Sequence, residues 1–357
     1  MNPSFFEAHQ IRLIQAPMAG SQNHPLAAAV FKAGGMGSIP AAMLTSEQLK
    51  NELVAFQNTI STCADANSWG GSLPVNVNFF CHTPPAAQAE KELAWRAKLA
   101  STYLALGIDP QSVGSGPGRA PFSEESLILI GQIKPAVVSF HFGLPKAEWV
   151  QQIKAWGIQI WSSATTVQEA QWLAQNDADA VIAQGLEAGG HRGMFLTEDL
   201  STQVSTLALL PQIVKALKLP VIAAGGISSP AAVSAAKTLG ASAVQVGTAF
   251  LTSHEASTSA LHRQALMSDA AKHTALTNLF SGRPARGIVN KFMQEFGPLN
   301  PEAPAFPLAT AAVAPLRAAA EAKGSADYSP LWSGQNASDC QALSAAEIAH
   351  KLLQGWT

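Results

Sequence analysis

The run QGLEAGGHRG at residues 184–193 sets two glycines, Gly189 and Gly190, directly before His191 and Arg192. Removing side-chain bulk beside an imidazole leaves room for a reactant. An imidazole in such a space can take a proton from a carbon acid or, once protonated, hold an anion. His191 is therefore the leading catalytic candidate, weighed against the commoner role of a histidine as a structural hydrogen-bonding group. His141, in SFHFG (139–143), has nearly the same claim, although its neighbours Phe140 and Phe142 equally suit a core histidine. Arg192 offers a guanidinium for a phosphate or carboxylate, or for an ion pair facing solvent.

Two glycine-bearing runs offer anion contacts. VIAAGGI (221–227) and QVGTAF (245–250) present Gly225, Gly226, Gly247 and Thr248, where backbone amides can approach a phosphate closely. A Gly-Gly pair after a strand is also an ordinary tight turn. QAPMAG (15–20) places Ala16, Pro17, Met18 and Ala19 in a stretch that Pro17 stiffens and small residues flatten, a surface that suits a planar ring such as a flavin. Asn78 and Gln184 add amide groups matching the polar edge of such a ring, or else satisfy backbone groups nearby. No GxxxxGK[ST], HExxH, GxSxG or spaced Cys/His set occurs, so nucleotide hydrolysis, zinc proteolysis, serine hydrolysis and a metal site lack motif support.

These residues must be positioned by something regular. Eight short apolar runs recur at 11–19, 36–41, 74–80, 136–141, 159–164, 180–185, 220–226 and 243–248, most of them apolar on both faces as buried parallel strands require. Between them HPLAAAVFKAG, AEWVQQIKAWG, TVQEAQWLAQN, TLALLPQIVKALK and SPAAVSAAKTLG carry apolar residues at helical spacing. Eight βα units predict an α/β fold, a TIM (β/α)8 barrel, with the candidate residues at or just past the strand carboxyl ends. An open doubly wound sheet would also put ligands there, and the count of eight favours the barrel. The pattern divides the chain into a barrel over 1–251, an appended, mainly helical subdomain over 252–330 beginning with a helical stretch near 254–275, and a C-terminal segment over 331–357 returning to the barrel. DANSWGGS (65–72) and GSGPGRAP (114–121) read as loops.

Composition narrows the partners. A chain of 357 residues, 47% hydrophobic and 13% charged with net charge −2, can bury a large core and has no basic surface for nucleic acid or an anionic membrane. Three cysteines without paired spacing, and no leader-like start or membrane-length apolar run, fit a cytoplasmic protein. Nothing in the sequence sets an oligomeric state.

Taken together, QAPMAG, VNVNFFCH, VVSFHFGLP, QGLEAGGHRG, VIAAGGI, QVGTAFL and SGRPARGIVNKFM resemble the motif series of the class I nitronate monooxygenases, over nearly the whole chain. EAGGHRG is partly shared with flavin-dependent enoyl and quinone reductases, whereas SFHFG points to class I. The resemblance implies an FMN-binding barrel that oxidises alkyl nitronates, such as propionate 3-nitronate, with O2 to a carbonyl compound and nitrite. It implies FMN contacts at Asn78, Gln184, Gly189, Gly226 and Gln245, Val246, Gly247 and Thr248, with His191 near the reactive face and His141 lining the substrate pocket. The family's pocket is tyrosine-rich, yet this chain has only Tyr103 and Tyr328, and Phe306 stands where a tyrosine is expected. Tyr103 and Phe306 are accordingly the remaining pocket candidates. The rival expectation is an NAD(P)H-dependent FMN reductase of quinones or enoyl thioesters; a non-redox phosphate-binding barrel is a third.

Overall fold

Short runs of Val, Ile and Ala with no polar face need cover on both sides, and the chain provides it. The computed structural model describes residues 4–114 and 119–357, so half of the loop expected at 114–121, residues 115–118, falls outside the described residues. The strands are β1 (Leu13–Gln15), β2 (Ser38–Pro40), β3 (Leu73–Phe80), β4 (Pro135–His141), β5 (Gln159–Ala164), β6 (Ala180–Gln184), β7 (Gly190–His191), β8 (Val221–Ala224), β9 (Ala243–Val246), β10 (Thr274–Thr277) and β11 (Ala285–Ile288). Eight of them pair in parallel in the order β1-β9-β8-β6-β5-β4-β3-β2. A parallel bridge between Ile14 and Met36 joins the two ends, with Gln15 N donating to Met36 O at 2.9 Å and Met36 N to Leu13 O at 2.8 Å. That closure makes the sheet a TIM barrel rather than an open doubly wound sheet.

The period of two sorts the side chains. Leu13, Val221, Ala223 and Val244 pack outward against the helices. Their neighbours Ile14, Ile222, Ala224 and Ala243 pack inward with Met36, Trp161 and Ile182. At the amino end of the barrel Phe6, on helix Phe5–Ala8, stacks on Trp161 at 5.1 Å and stops the interior. The outer helices begin where capping chemistry allows: Thr166, Ser205 and Ser229 each accept the backbone N–H three residues on, which starts helices Val167–Gln175, Thr206–Ala216 and Pro230–Thr238. Helix Ala345–Leu353 packs Ala345, Ile348, Ala349 and Leu352 into this same outer layer, so the chain's end returns to the barrel.

Residues 252–330 are less uniformly helical than their composition predicts. The stretch expected as one helix over 254–275 resolves into helix Ala260–Leu266, a 3-10 turn at Asp269–Lys272 and strand β10. Ser268 accepts the Ala270 N–H and caps the turn, breaking the helix there. Strands β10 and β11 pair antiparallel, and β11 continues onto β7, so this sheet grips the segment carrying His191. The region also shares its core with helices Ala89–Lys98 and Ala100–Leu106, inserted between β3 and β4. Trp95, Leu99 and Tyr103 pack with Leu279, Phe292 and Leu316. No helix among the described residues is long and apolar enough to cross a membrane.

Candidate active site

A cavity of about 190 Å³ opens at the carboxyl ends of the barrel strands. Its floor at β1 is formed by Ala16, Pro17, Met18 and Ala19. Two buried amides anchor this turn: Gln15 bonds to the Ala16 carbonyl and to Gln22, and Gln22 Oε1 accepts the Met18 N–H at 2.9 Å. The floor is therefore held from behind, leaving its own surface to small apolar groups.

At β8 and β9 the wall is backbone. Gly225, Gly226, Gly247 and Thr248 all line the cavity. Gly225 sits at φ +118°, and a Cβ there would lie 2.8 Å from Thr206 Oγ1 and 3.1 Å from the Ala188 nitrogen, so no other residue fits without a shift. The amides of Gly225 and Gly226 donate to no protein acceptor among the described residues. Thr248 Oγ1 accepts the Gly334 N–H at 3.0 Å and ties the C-terminal segment to this wall. Gln245 also lines the cavity, and its Oε1 is buried without a partner among the described residues. Val246, one residue on, does not belong to the wall. By the alternation of the strand its side chain packs outward with Leu13 and Val244, and it offers only a carbonyl to the Ala16 N–H at 2.8 Å.

Across the cavity the wall is made of side chains. Asn78 donates to Ser139 Oγ at 3.0 Å. Gln184, at the end of β6, has both ends of its amide engaged. Its Nε2 donates to the His191 carbonyl at 3.0 Å, and its Oε1 accepts the Gly193 N–H at 2.7 Å. Gly189 makes room for the C-terminal segment, since a Cβ there would meet the Gly334 nitrogen at 2.6 Å; Gly190 has φ +71°. The two glycines thus serve the turn and its neighbour as much as the imidazole beyond them.

The two histidines differ in what they touch. His141 lies with Nε2 3.1 Å from the His191 carbonyl and Nδ1 3.0 Å from Ser163 Oγ. A carbonyl only accepts, so Nε2 carries the proton and Nδ1 accepts from Ser163. Burial pushes His141 down to about 4, with the charge of Arg283 acting the same way, so it is neutral and committed at both nitrogens. His191 Nε2 is 2.8 Å from Ser281 Oγ, and Nδ1 has no hydrogen-bond partner among the described residues. Burial first, then the positive charge of Arg119, holds its pKa well below the ordinary value. Of the two, only His191 has a ring nitrogen free at the cavity.

Aromatic rings surround this end. Phe80, Phe142 and Phe306 form one buried cluster, Phe306 lies 5.4 Å from His191 and 4.8 Å from His82, and Trp332 lies 5.6 Å from His191. Arg283 lays its guanidinium 4.1 Å from the Phe142 ring centre. Phe306 is thus packed against the imidazole, although it does not itself line the cavity. Tyr103 is not: it is fully buried among the inserted helices and donates its hydroxyl to the Ala312 carbonyl at 2.6 Å. Arg192 is likewise withdrawn, neither at an anion nor in solvent; its guanidinium binds the carbonyls of Gly185 and Gln184 at 2.7 and 2.8 Å and braces the turn from behind.

Sequence reasoning missed Arg119, Ser281, Trp332, Gly334 and Asn336, although all but Ser281 line the cavity. Trp332 to Asn336 fall in WSGQN, where small and polar residues around one tryptophan mark a loop that a closer reading could have flagged. Arg119 carries no such mark.

Three comparisons bear on this arrangement. A family model described as nitronate monooxygenase matches residues 4–355. A nitronate monooxygenase from Pseudomonas aeruginosa is 40% identical over 345 residues, spanning 96% of this chain and 95% of its own. One from Paraburkholderia phytofirmans is 39% identical over 342 residues, 95% and 90% respectively. Among solved structures, a nitroalkane oxidase from Streptomyces ansochromogenes superposes with a TM-score of 0.85 at 34% identity, over 96% of this chain and 94% of that one. With a family match spanning almost its whole length and relatives of this similarity, the chain belongs to the nitronate monooxygenase family of oxidoreductases.

Proposed function

We propose that the protein binds FMN in this cavity and oxidises small alkyl nitronates with O2, giving a carbonyl compound and nitrite. The observation that carries the reading is the union of two unlike halves in one cavity: a glycine-walled, backbone-lined bed and an aromatic recess closed by a neutral imidazole with one free nitrogen. The bed suits a phosphorylated planar ring. Free amides at Gly225 and Gly226 match a phosphate, the Ala16–Ala19 floor matches a flat face, and the unpartnered Gln245 Oε1 together with Asn78 matches a ring's polar edge. When bound, FMN supplies the electron-transfer chemistry that no side chain here can supply.

The residues of the recess handle substrate and proton. With its hydroxyl turned to the Arg283 carbonyl, 3.4 Å away, Ser281 accepts from His191 Nε2–H, which leaves Nδ1 as a bare acceptor. In that state His191 can remove the α-proton of a neutral nitroalkane, while a nitronate arrives already deprotonated and needs no base. His141 and Gln184 hold the His191 backbone carbonyl between them and so set where the imidazole stands. The rings of Phe80, Phe142 and Phe306 keep water from the reacting carbon. The three cysteines are all free, which fits a reducing cytoplasm as the working compartment.

The test is to mix FMN-loaded protein anaerobically with propionate 3-nitronate and, separately, with NADH, follow flavin absorbance, then admit air and assay nitrite. Bleaching by the nitronate with nitrite release supports the proposal. Bleaching by NADH alone would replace it with the reductase reading.

A further inference from the structure

Four arginines lie in or beside the site, and three are accounted for. Arg192 binds three protein oxygens and has Glu187 and Glu169 as nearby counter-charges. Arg286 donates to the Leu186 carbonyl and Thr274, and Glu187 opposes its charge. Arg283 donates to the Met194 carbonyl and lies over Phe142, with Glu198 and Glu169 as counter-charges.

Arg119 differs from all three. It lines the cavity, half-buried, and its one polar contact among the described residues is a 3.3 Å hydrogen bond from Nη1 to Thr310 Oγ1. Its guanidinium lies 5.9 Å from the centre of the Phe306 ring. No carboxylate among the described residues pairs with it, and burial is the one influence that shifts its pKa, downward. A guanidinium withdrawn from water with no counter-ion is unfavourable unless something supplies the negative charge. The Phe306 ring that it approaches also lies 5.4 Å from His191, so the cation stands near enough to the imidazole for its charge to help hold that ring neutral.

We propose that Arg119 is the specificity-determining residue of this site: it receives a second anionic group, a carboxylate, on the substrate chain beyond the nitronate carbon. The inference rests on the nitronate-oxidising reading above and deepens it by naming the residue that selects among the nitronates. A fork of N–H donors pairs with a carboxylate in a planar, two-bond geometry that a lysine cannot copy. The contact is made equally before and during reaction, so it acts on KM rather than on kcat.

A matched pair of substrates tests it: propionate 3-nitronate and propyl-1-nitronate, which carry a carboxylate and a methyl group at the far end of the chain. The wild-type protein should favour the carboxylated member by about a hundredfold in kcat/KM. Arg119→Met should erase that preference by raising KM for the carboxylated member alone, and Arg119→Lys should restore part of it. Equal kcat/KM for the two nitronates in the wild type, or an equal loss for both in Arg119→Met, would overturn the assignment. Calorimetric titration of the wild type with butanoate and butanamide gives a readout independent of turnover. Tighter binding of butanoate supports the role of Arg119, and no difference overturns it even where neither nitronate yields nitrite, an outcome that would separately remove the oxidation reading.

Discussion

The two halves of the cavity are built by different means. The bed is mostly backbone and small groups: Ala16–Ala19, Gly225, Gly226, Gly247 and Thr248 each follow their own strand within four residues, and the glycines contribute by having no side chain. The recess uses side chains gathered from distant parts of the chain. His141 and Phe80 end barrel strands, His191 sits on β7, Arg119 comes from the β3–β4 insertion, Ser281 and Arg283 from the loop between β10 and β11, Phe306 from the stretch before helix Ala309–Ala322, and Trp332 from the C-terminal segment. The bed fails sterically at Gly225, where a methyl group would run into Thr206 and Ala188. A recess of this kind fails electrostatically, because its titratable groups hold their states only while water stays out.

The largest effect expected is on the recess. Replacing His191 by Asn removes the free Nδ1 and should lower turnover of neutral nitroalkanes by about 10²–10⁴-fold, while FMN affinity and turnover of a preformed nitronate change far less. Steady-state rates on both substrate forms, with an FMN titration of the same variant, check this. A parallel loss of FMN would mean that the two halves are not separable.

Acid should undo the recess next. The His141 pKa is lowered to about 4, chiefly by burial, against an ordinary value of 6.5. Between those values the unfolded chain binds a proton that the folded chain refuses. The stabilisation is therefore complete above pH 6.5 and is lost as pH falls toward 4, on the order of 3 kcal/mol for this one group. His82 and His262, also held down to about 4 by burial, act in the same direction. Urea midpoints measured from pH 7 down to 4.5 should fall steadily. A flat profile would mean that water reaches these rings.

The bed is probed by Gly225→Ala. At φ +118°, with Thr206 Oγ1 2.8 Å from the new Cβ, the substitution should cost about 1–3 kcal/mol of stability and weaken FMN binding at least in proportion to the displacement of the β8 turn. Thermal unfolding and an FMN titration read the two effects separately. If FMN binds Gly225→Ala as it binds wild type, the phosphate lies elsewhere.

The same contrast explains what sequence made visible. The barrel was legible because its strands advertise themselves by being apolar on both faces, and because the segments between them carry apolar residues at helical spacing. The bed was legible for a related reason: a glycine after a strand is a local event. Val246 entered with a motif run taken whole, and the strand's alternation turns that one side chain outward and leaves only its backbone facing that wall. The recess was half legible. His141 ends a strand and His191 sits on the two-residue β7, but Ser281 reaches the His191 imidazole, and Trp332 the cavity, only through the pairing of β11 with β7 and the bridge from Gly287 to Trp332, and no local pattern encodes those contacts. The inserted helices at 89–106 went unread, although Tyr103 on the second of them was a candidate, and the core of the 279–328 region depends on them.

Tyr103 marks where the recess ends. Its phenol was the obvious donor for a nitro or carboxylate oxygen in a chain with only two tyrosines, but the hydroxyl is spent on the Ala312 carbonyl, which anchors the helix at Ala309–Ala322 to the inserted helices. Tyr103→Phe leaves that buried carbonyl without its donor and should cost about 1–2 kcal/mol of stability, seen as a lower unfolding midpoint. Its kcat and KM on either nitronate should stay within about twofold of wild type, since one well-packed ring replaces another at a site outside the cavity. A selective rise in KM would instead mean that Tyr103 leaves Ala312 when substrate enters. The polar contact to the substrate would then be divided between a phenol and the Arg119 guanidinium, and the recess would extend into the inserted helices.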